Sequence, residues 1–346
     1  MTSRNAVHLS FDPPSASAKP PATQLSAAVR IGDTLIVAAD EGGDLEVLGE
    51  SRNRWAQIAR VSLHDIMTLP AGREIEVDIE GLAVEDDWLW VVGSHSLKRR
   101  KPQGSSAERA LSSMRTLVRE ANRYLLARIP LERQKSGHMR PVKKNGERRT
   151  AMVEVGKRSS MLVSWLAEDP LLAPFTGIAS KENGLDIEGI AVSDNDVWLG
   201  LRGPVLRGHA VVLRLDIRAN KRDLLKAKKT DGTRRFRKYL LPLDGLGIRD
   251  IELDGRDLLL LTGPTMSGDG PSKLVRWRNA LDSRGSSVIP KSQVSTVRDL
   301  SDELTKEAPE SICHWTTGTL LLLHDRPSPR RLSDNDNAFV ADLLVL

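Results

Sequence analysis

Glu80-Gly-Leu-Ala-Val-Glu-Asp-Asp-Trp-Leu-Trp-Val-Val-Gly93 and Glu188-Gly-Ile-Ala-Val-Ser-Asp-Asn-Asp-Val-Trp-Leu-Gly200 read as two copies of one unit. Each opens on a carboxylate and a glycine, runs through a short apolar strand, turns, and returns as a second apolar strand. Asp86-Asp87 and Asp194-Asn195 at the turns are residue types that accept the positive φ of a tight hairpin. The flanking runs are apolar on consecutive positions and rich in Leu, Val and Ile, as expected of strands buried on both faces.

Working outward, the unit recurs three more times. One copy runs from Ser26 through Gly32-Asp33 to Asp40, one from Asp250 through Asp254-Gly255 to Gly263, and one from Glu310 through Thr317-Gly318 to His324. The starts lie 54, 108, 62 and 60 residues apart. Repeats of about 40–50 residues plus loops have the length of propeller blades. The expected fold is therefore all-β: a β-propeller in which residues 1–346 form a single domain, most simply with five blades. The 108-residue interval has room for a sixth, but it lacks a second hairpin signature. It carries helical runs at Ala107–Ala121 and Ser160–Leu172 instead, so 98–121 and 132–175 read as basic and helical insertions within the second blade. Outer strands are expected at Trp55–Ile66, Asn122–Leu131, His209–Ile217 and Lys273–Trp277. Asn5–Phe11 and Phe339–Leu346 would pair in one blade and remove its exposed edges, with Pro13–Thr23 as the crossing linker.

Composition narrows the class. The 346 residues are 40% hydrophobic, enough for a large buried core, which excludes a disordered chain. Cys313 is the only cysteine, which excludes a disulfide framework and a cysteine zinc site. No secretory h-region and no membrane-length apolar run is visible, so the expectation is a cytoplasmic protein with no membrane partner. The net charge of +5 hides a segregation: residues 98–158 carry +13 and 202–238 carry +10, leaving −18 on the rest. The chain reads as two basic stretches on an acidic frame.

Propeller topology brings the repeat starts and the second-strand ends to one face, around the central channel. The starts supply Ser26, Glu80, Glu188, Asp250 and Glu310, four carboxylates and a hydroxyl. Such a ring needs a cation, raised pKa values or arginine partners. Calcium suits an all-oxygen set; magnesium or manganese also fit, whereas zinc is disfavoured by the lack of His and Cys there. Alternatively, these acids cap strand N–H groups or pair with Arg249 and Arg202.

The second-strand ends add Asp40-Glu41, His95, Arg202 and His324-Asp325, followed by Gly-, Pro- or Arg-rich loops such as Thr265–Gly270. An acidic throat with a basic rim suits a small anionic, metal-bridged ligand such as a phosphate ester. Asp40, Glu41 and Asp325 would line it. Arg202 and Arg207, flanking Gly203-Pro204, could grip the anion, and His95 or His324 could move protons. A histidine at a strand end is more often a structural hydrogen-bonding residue, and the alternative role of Arg202 is to neutralise Glu188. No phosphate-loop, dinucleotide or nucleophile-elbow fingerprint is present.

The motifs Asp78-Ile-Glu-Gly-Leu-Ala83, Gly93-Ser-His-Ser-Leu-Lys98, Asn122-Arg-Tyr-Leu-Leu-Ala-Arg128, Asn183-Gly-Leu-Asp-Ile-Glu-Gly-Ile190 and Gly200-Leu-Arg-Gly-Pro-Val-Leu-Arg-Gly208 resemble a bacterial family called domain of unknown function 3616. That resemblance implies no activity. A fainter similarity is to calcium-activated nucleotidases, whose five-bladed propellers hold calcium in a ring of Ser and Glu. It implies a like role for Ser26, Glu80, Glu188 and Glu310, with Asp250 a departure. The Glu-Gly strand start is also similar to the esterase-like domain related to phytases. Two functions follow as expectations. One is a metal-dependent hydrolase or binder of a small phosphorylated ligand. The other is a non-catalytic scaffold docking an acidic protein or nucleic acid through its basic insertion.

Overall fold

The computed structural model describes residues 6–14, 19–51, 54–156, 158–230, 233–266, 268, 270–301 and 307–346. Asn5 of the expected first strand, residues 15–18 of the expected linker, and Ser267 and Asp269 of the loop after Gly263 lie outside the described residues.

Apolar runs separated by turn residues fold into successive antiparallel meanders. Leu25–Ile31, Thr34–Ala39, Asp44–Ser51 and Arg54–Ser62 pair in order. Ile79–Glu85, Trp88–Gly93, Leu126–Arg133 and Ala151–Val153 follow. Next come Asp186–Ser193, Asp196–Leu206, His209–Ala219 and Arg237–Pro242. Gly247–Asp254, Asp257–Gly263, Lys273–Trp277 and Val294–Asp299 form another meander. The last contains Pro309–Thr316, Thr319–His324 and Ala338–Val345. Its outer position is taken by the N-terminal strand Ala6–Ser10, antiparallel to Ala338–Val345 with Ala6 opposite Asp342. The two ends of the chain thus share one sheet, as the sequence led us to expect.

The innermost strand of each meander touches those of its two neighbours, and the contacts close into a ring: Leu25–Ile31, Ile79–Glu85, Asp186–Ser193, Gly247–Asp254, Pro309–Thr316, and back to the first. The result is all-β and propeller-like. Apolar side chains fill the spaces between successive sheets. One such layer contains Val92, Leu126, Ile190, Leu199 and Leu213, all 0–1% exposed. Inner-strand glycines permit the close approach. A Cβ on Gly189 would sit 2.8 Å from the backbone nitrogen of Ile251 in the next inner strand.

Turn chemistry explains most boundaries. Asp194 and Asn195 adopt φ of 53° and 71°, and Gly32 adopts 57°. The hairpin expected at Asp254-Gly255 turns one residue later, because Asp254 pairs with Asp257. The helical runs are shorter than their patterns suggest: Ala107–Met114 is exposed with no buried face, and Met161–Ala167 buries Leu162, Trp165 and Leu166. No helix among the described residues is long and apolar enough to cross a membrane.

Candidate functional site: an acid–guanidinium ring at the axis

Near its start, each innermost strand bulges where its ladder with the second strand skips one residue: Ser26, Glu80, Glu188, Arg249 and Glu310. A bulge leaves the skipped residue unpaired and re-aims its side chain. Here the five face the axis. One carboxylate oxygen each of Glu80, Glu188 and Glu310 lies within 4.8 Å of the others. Ser26 Oγ donates to the carbonyl of Ile79 at 2.6 Å. Arg249, whose strand lies between those of Glu188 and Glu310, meets both: Nε lies 3.1 Å from Glu188 Oε2 and Nη2 donates to Glu310 Oε2.

Four of the five expected ring residues thus converge, and Asp250 does not. The bulge in its strand falls at Arg249, so Asp250 re-enters the ladder and points at the neighbouring inner strand. Its Oδ2 accepts from Ser311 Oγ and from the Ile312 N–H, both at 2.8 Å, and its Oδ1 accepts from the Ile251 N–H. Burial pushes its carboxyl up to about 8. Ser311 continues the stitching, accepting from the Ala28 N–H at 3.1 Å. Asp250 is a clamp between sheets, and a guanidinium stands where a fourth axial carboxylate was expected.

Compensation within the ring is uneven. Arg202 donates to Glu188 Oε1 at 2.7 Å and lies 3.0 Å from Asp186. Glu188 therefore meets two guanidinium groups, yet burial still pushes it up to about 7. Its Oε2 is buried and without a hydrogen-bond partner. Glu80 has no such support: among the described residues no cation lies within 4.0 Å of it and no hydrogen bond reaches its carboxylate. Burial, then the charges of Asp78 and Glu188, push its carboxyl well above the usual range.

The ring forms the floor of a cavity of about 550 Å³. Asp40, Glu41 and Asp325 line it as expected, together with Asp78, Asp186 and Arg123. A second acid group, Asp40, Glu76 and Asp78, has oxygens within 4.8 Å of one another. Arg123 pairs with Asp78, Glu76 and Glu120, while Lys98 pairs with Glu76 and Glu120. Arg99, Arg100, Lys101 and Lys181 are farther out. The wall is almost wholly polar, with Met114, Pro102 and Ala179 its apolar exceptions. A smaller cavity of about 220 Å³ shares Lys181, Arg202, Arg249 and Asp325 with it.

Neither expected histidine lines either cavity. His95 is 2% exposed; its Nδ1 meets the Gly93 carbonyl at 2.9 Å and its Nε2 has no partner. Burial lowers its pKa to about 4, so the ring is neutral near pH 7. His324 is fully buried and faces Asp342 at 3.0 Å, in a network with Arg331 and Glu307. Arg207 is exposed at the hairpin turn beyond Leu206, with φ of 50°, and does not join Arg202. The strand Asp196–Leu206 continues through Gly203-Pro204, which separates the two arginines. The supporting acids Asp78 and Asp186 escaped sequence reasoning, although both stand two residues before the axial Glu in an Asp-Ile-Glu-Gly motif.

The fold and site define an all-β, propeller-like protein with a partly compensated carboxylate ring on its axis. The chain belongs to the family described as protein of unknown function (DUF3616), whose sequence profile matches residues 24–342. No curated protein matches it in sequence. Among solved structures it is similar to glutaminyl cyclase of Myxococcus xanthus, at 10% identity over 94% of each chain with a TM-score of 0.39. It is also similar to the PQQ-bound aldose sugar dehydrogenase of Streptomyces coelicolor, at 10% identity over 99% of this chain and 98% of that one, TM-score 0.40. A family AA12 carbohydrate-active enzyme of Trichoderma reesei gives 9% identity over 100% and 97%, TM-score 0.44. Likeness at this level carries no assignment of chemistry.

Proposed function

We propose that the chain is a five-bladed propeller, with insertions in its second blade, that holds a divalent cation on its axis and binds a small phosphorylated ligand at the channel mouth. Glu80 carries the cation reading. It is a cavity-facing carboxylate with no cation of its own, beside two other carboxylates. When ionised, Asp186, Glu188, Glu80 and Glu310 would bring four negative charges against two from Arg202 and Arg249, a deficit that one divalent cation fills. Calcium suits this all-oxygen set, whose three carboxylate oxygens lie within 4.8 Å of one another, because it accepts six to eight oxygen ligands in flexible geometry. Glu80, Glu188 and Glu310 would hold the ion, with Ser26 beside them; a bound cation would polarise an anionic oxygen placed against it.

Lys181, Arg100 and Lys101 would bind the anion, while Arg202 and Arg249 fix the acids beneath it. Binding fits this geometry better than histidine-assisted hydrolysis, because His95 and His324 stand apart from the cavity. Metal analysis of the purified protein, with thermal-shift titrations of EDTA, calcium, magnesium and manganese, tests the site. A cation that binds only the folded form raises its Tm. Calorimetry with a simple phosphate ester, with and without the ion, tests the ligand.

One observation favours a scaffold instead. Arg249 already bridges Glu188 and Glu310, so the ring is partly closed by the chain's own charges. A scaffold whose ring is purely structural would show no cation-dependent gain in stability.

A further inference from the structure

The two basic stretches, far apart in sequence, meet on the outside of the molecule. Ala151–Val153, the outer strand of the second meander, pairs in parallel with Leu224–Ala227, which lies outside the third: Met152 is opposite Leu224 and Val153 opposite Leu225. Parallel pairing sets the residues just before each strand at the same end. Arg149 of one stretch and Lys221 and Arg222 of the other therefore flank one bridge. Lys226 follows within the second strand. Lys143 and Lys144 stand on the two-stranded ribbon that precedes the bridge, where Lys144–Asn145 pairs with Arg148–Arg149 around Gly146.

All six side chains are exposed, and among the described residues none meets a carboxylate within 4.0 Å. The basic residues nearer the channel differ, since Lys98, Arg99 and Arg123 are committed to Glu76, Glu120 and Glu182. Glu132, Glu147, Glu154 and Asp223 are the exposed acids within 132–154 and 218–238 among the described residues.

We infer that this face is a docking surface for the phosphate backbone of double-stranded DNA. Three features select that partner. A protein partner needs an apolar or aromatic centre in the interface; the exposed large apolar residues among those described, Ile58, Leu111, Met114, Met161, Leu171, Met266, Val288 and Val345, all lie outside 132–154 and 218–238. A single strand needs exposed aromatic rings for stacking; Phe236 and Tyr239 are buried, and Arg128 covers Trp88 at 4.1 Å. A duplex needs only cations. The ribbon 144–149, with Lys144 and Arg149 exposed on its two strands, suits the major groove of B-form DNA, which admits a two-stranded β-ribbon, whereas the deep, narrow major groove of duplex RNA does not. The inference does not depend on the channel or its cation.

The test is fluorescence anisotropy of a labelled DNA duplex of about 20 base pairs titrated with the full chain at several salt concentrations. Neutralising about six phosphates predicts a log–log salt slope near −5 and roughly a thousand-fold weaker binding at 200 mM than at 50 mM salt. Two triple reversals, Lys143→Glu/Lys144→Glu/Arg149→Glu and Lys221→Glu/Arg222→Glu/Lys226→Glu, should each weaken binding at least ten-fold and flatten the slope by about 2–3, with unchanged Tm. Both sets matter, since the inference requires the two stretches to act as one surface. Binding that survives both reversals overturns it. So does tighter binding of single-stranded DNA or duplex RNA of equal length, or no binding at 50 mM salt. Loss in only one triple variant reduces the surface to a single stretch and overturns the shared face.

Discussion

Replacing Glu80 by Gln keeps the shape of the side chain and removes its charge. In the cation-free protein this change should stabilise the fold. At an effective dielectric of about 20, two unit charges about 4.8 Å apart repel by ~3.5 kcal/mol, and Glu80 has two such neighbours at that range or closer. Arg249 offsets part of the repulsion from both. The folded protein also sheds part of it by keeping Glu80 protonated, because burial and the charges of Asp78 and Glu188 raise its carboxyl well above normal. The remaining gain for the variant is about 1–3 kcal/mol near pH 8. For a chain of this size that is a few degrees in Tm, at roughly 1–2 °C per kcal/mol.

The sign follows from the direction of the shift. A carboxyl whose folded pKa is raised holds a proton that the unfolded chain has released, so stability falls as pH rises above the unfolded pKa. The advantage of the variant should therefore grow from about pH 5 to pH 8. Calcium should invert the order: at about a hundred times Kd it adds ~2.7 kcal/mol to the parent protein, while the variant has lost a ligand. Urea unfolding at three pH values, with chelator or calcium, reads all of this. A variant less stable than the parent in chelator near pH 8 would refute the unpaired carboxylate. Equal calcium stabilisation of both proteins would place the cation elsewhere.

Arg249→Met should cost about 3–5 kcal/mol in denaturant unfolding, because it strands Glu188 and Glu310 without their shared counter-charge; a neutral result would show that the ring is not closed by this residue. His95 should titrate near pH 4 by NMR. Because its folded pKa is depressed, the fold should lose stability as pH falls from about 6.5 towards 4, and His95→Asn, which tolerates the positive φ of 54°, should flatten that slope. Leu9, fully buried on the N-terminal strand, should cost about 2–5 kcal/mol as Leu9→Ala; a small effect would mean that the ring does not depend on its closing strand.

Much of the fold was legible because turns advertise themselves. Gly32-Asp33, Asp86-Asp87, Asp194-Asn195 and Thr317-Gly318 stand at the hairpins read from the sequence. The axial position in the fourth meander was not, because a bulge adds one residue without altering composition. A signal did exist. In each inner strand two residues, including the skipped one, stand between buried anchors: Leu25 and Ala28, Ile79 and Leu82, Ile187 and Ile190, Ile248 and Ile251, Pro309 and Ile312. Aligning by those anchors selects Arg249, whereas aligning by carboxylates selects Asp250. The histidines misled for another reason. Strand ends face the channel on average, but His95 turns to the Gly93 carbonyl and His324 to Asp342, which sequence spacing does not record. Arg123 was invisible as a partner of the cavity acids because its contacts with Glu76 and Asp78 are made across 45–47 residues of chain.

The sharing of one sheet by Ala6–Ser10 and Ala338–Val345 has a bearing on how the molecule is made. While it grows on the ribosome, the nascent chain can stack its early meanders as they emerge. The strand Ala6–Ser10 can meet Arg54–Ser62 early, with Leu9 opposite Trp55, but its other edge must wait for Ala338–Val345, more than three hundred residues downstream. Arg249 and Glu310 are likewise synthesised long after Ser26 and Glu80, so the axial charges assemble only in the last stage of biogenesis.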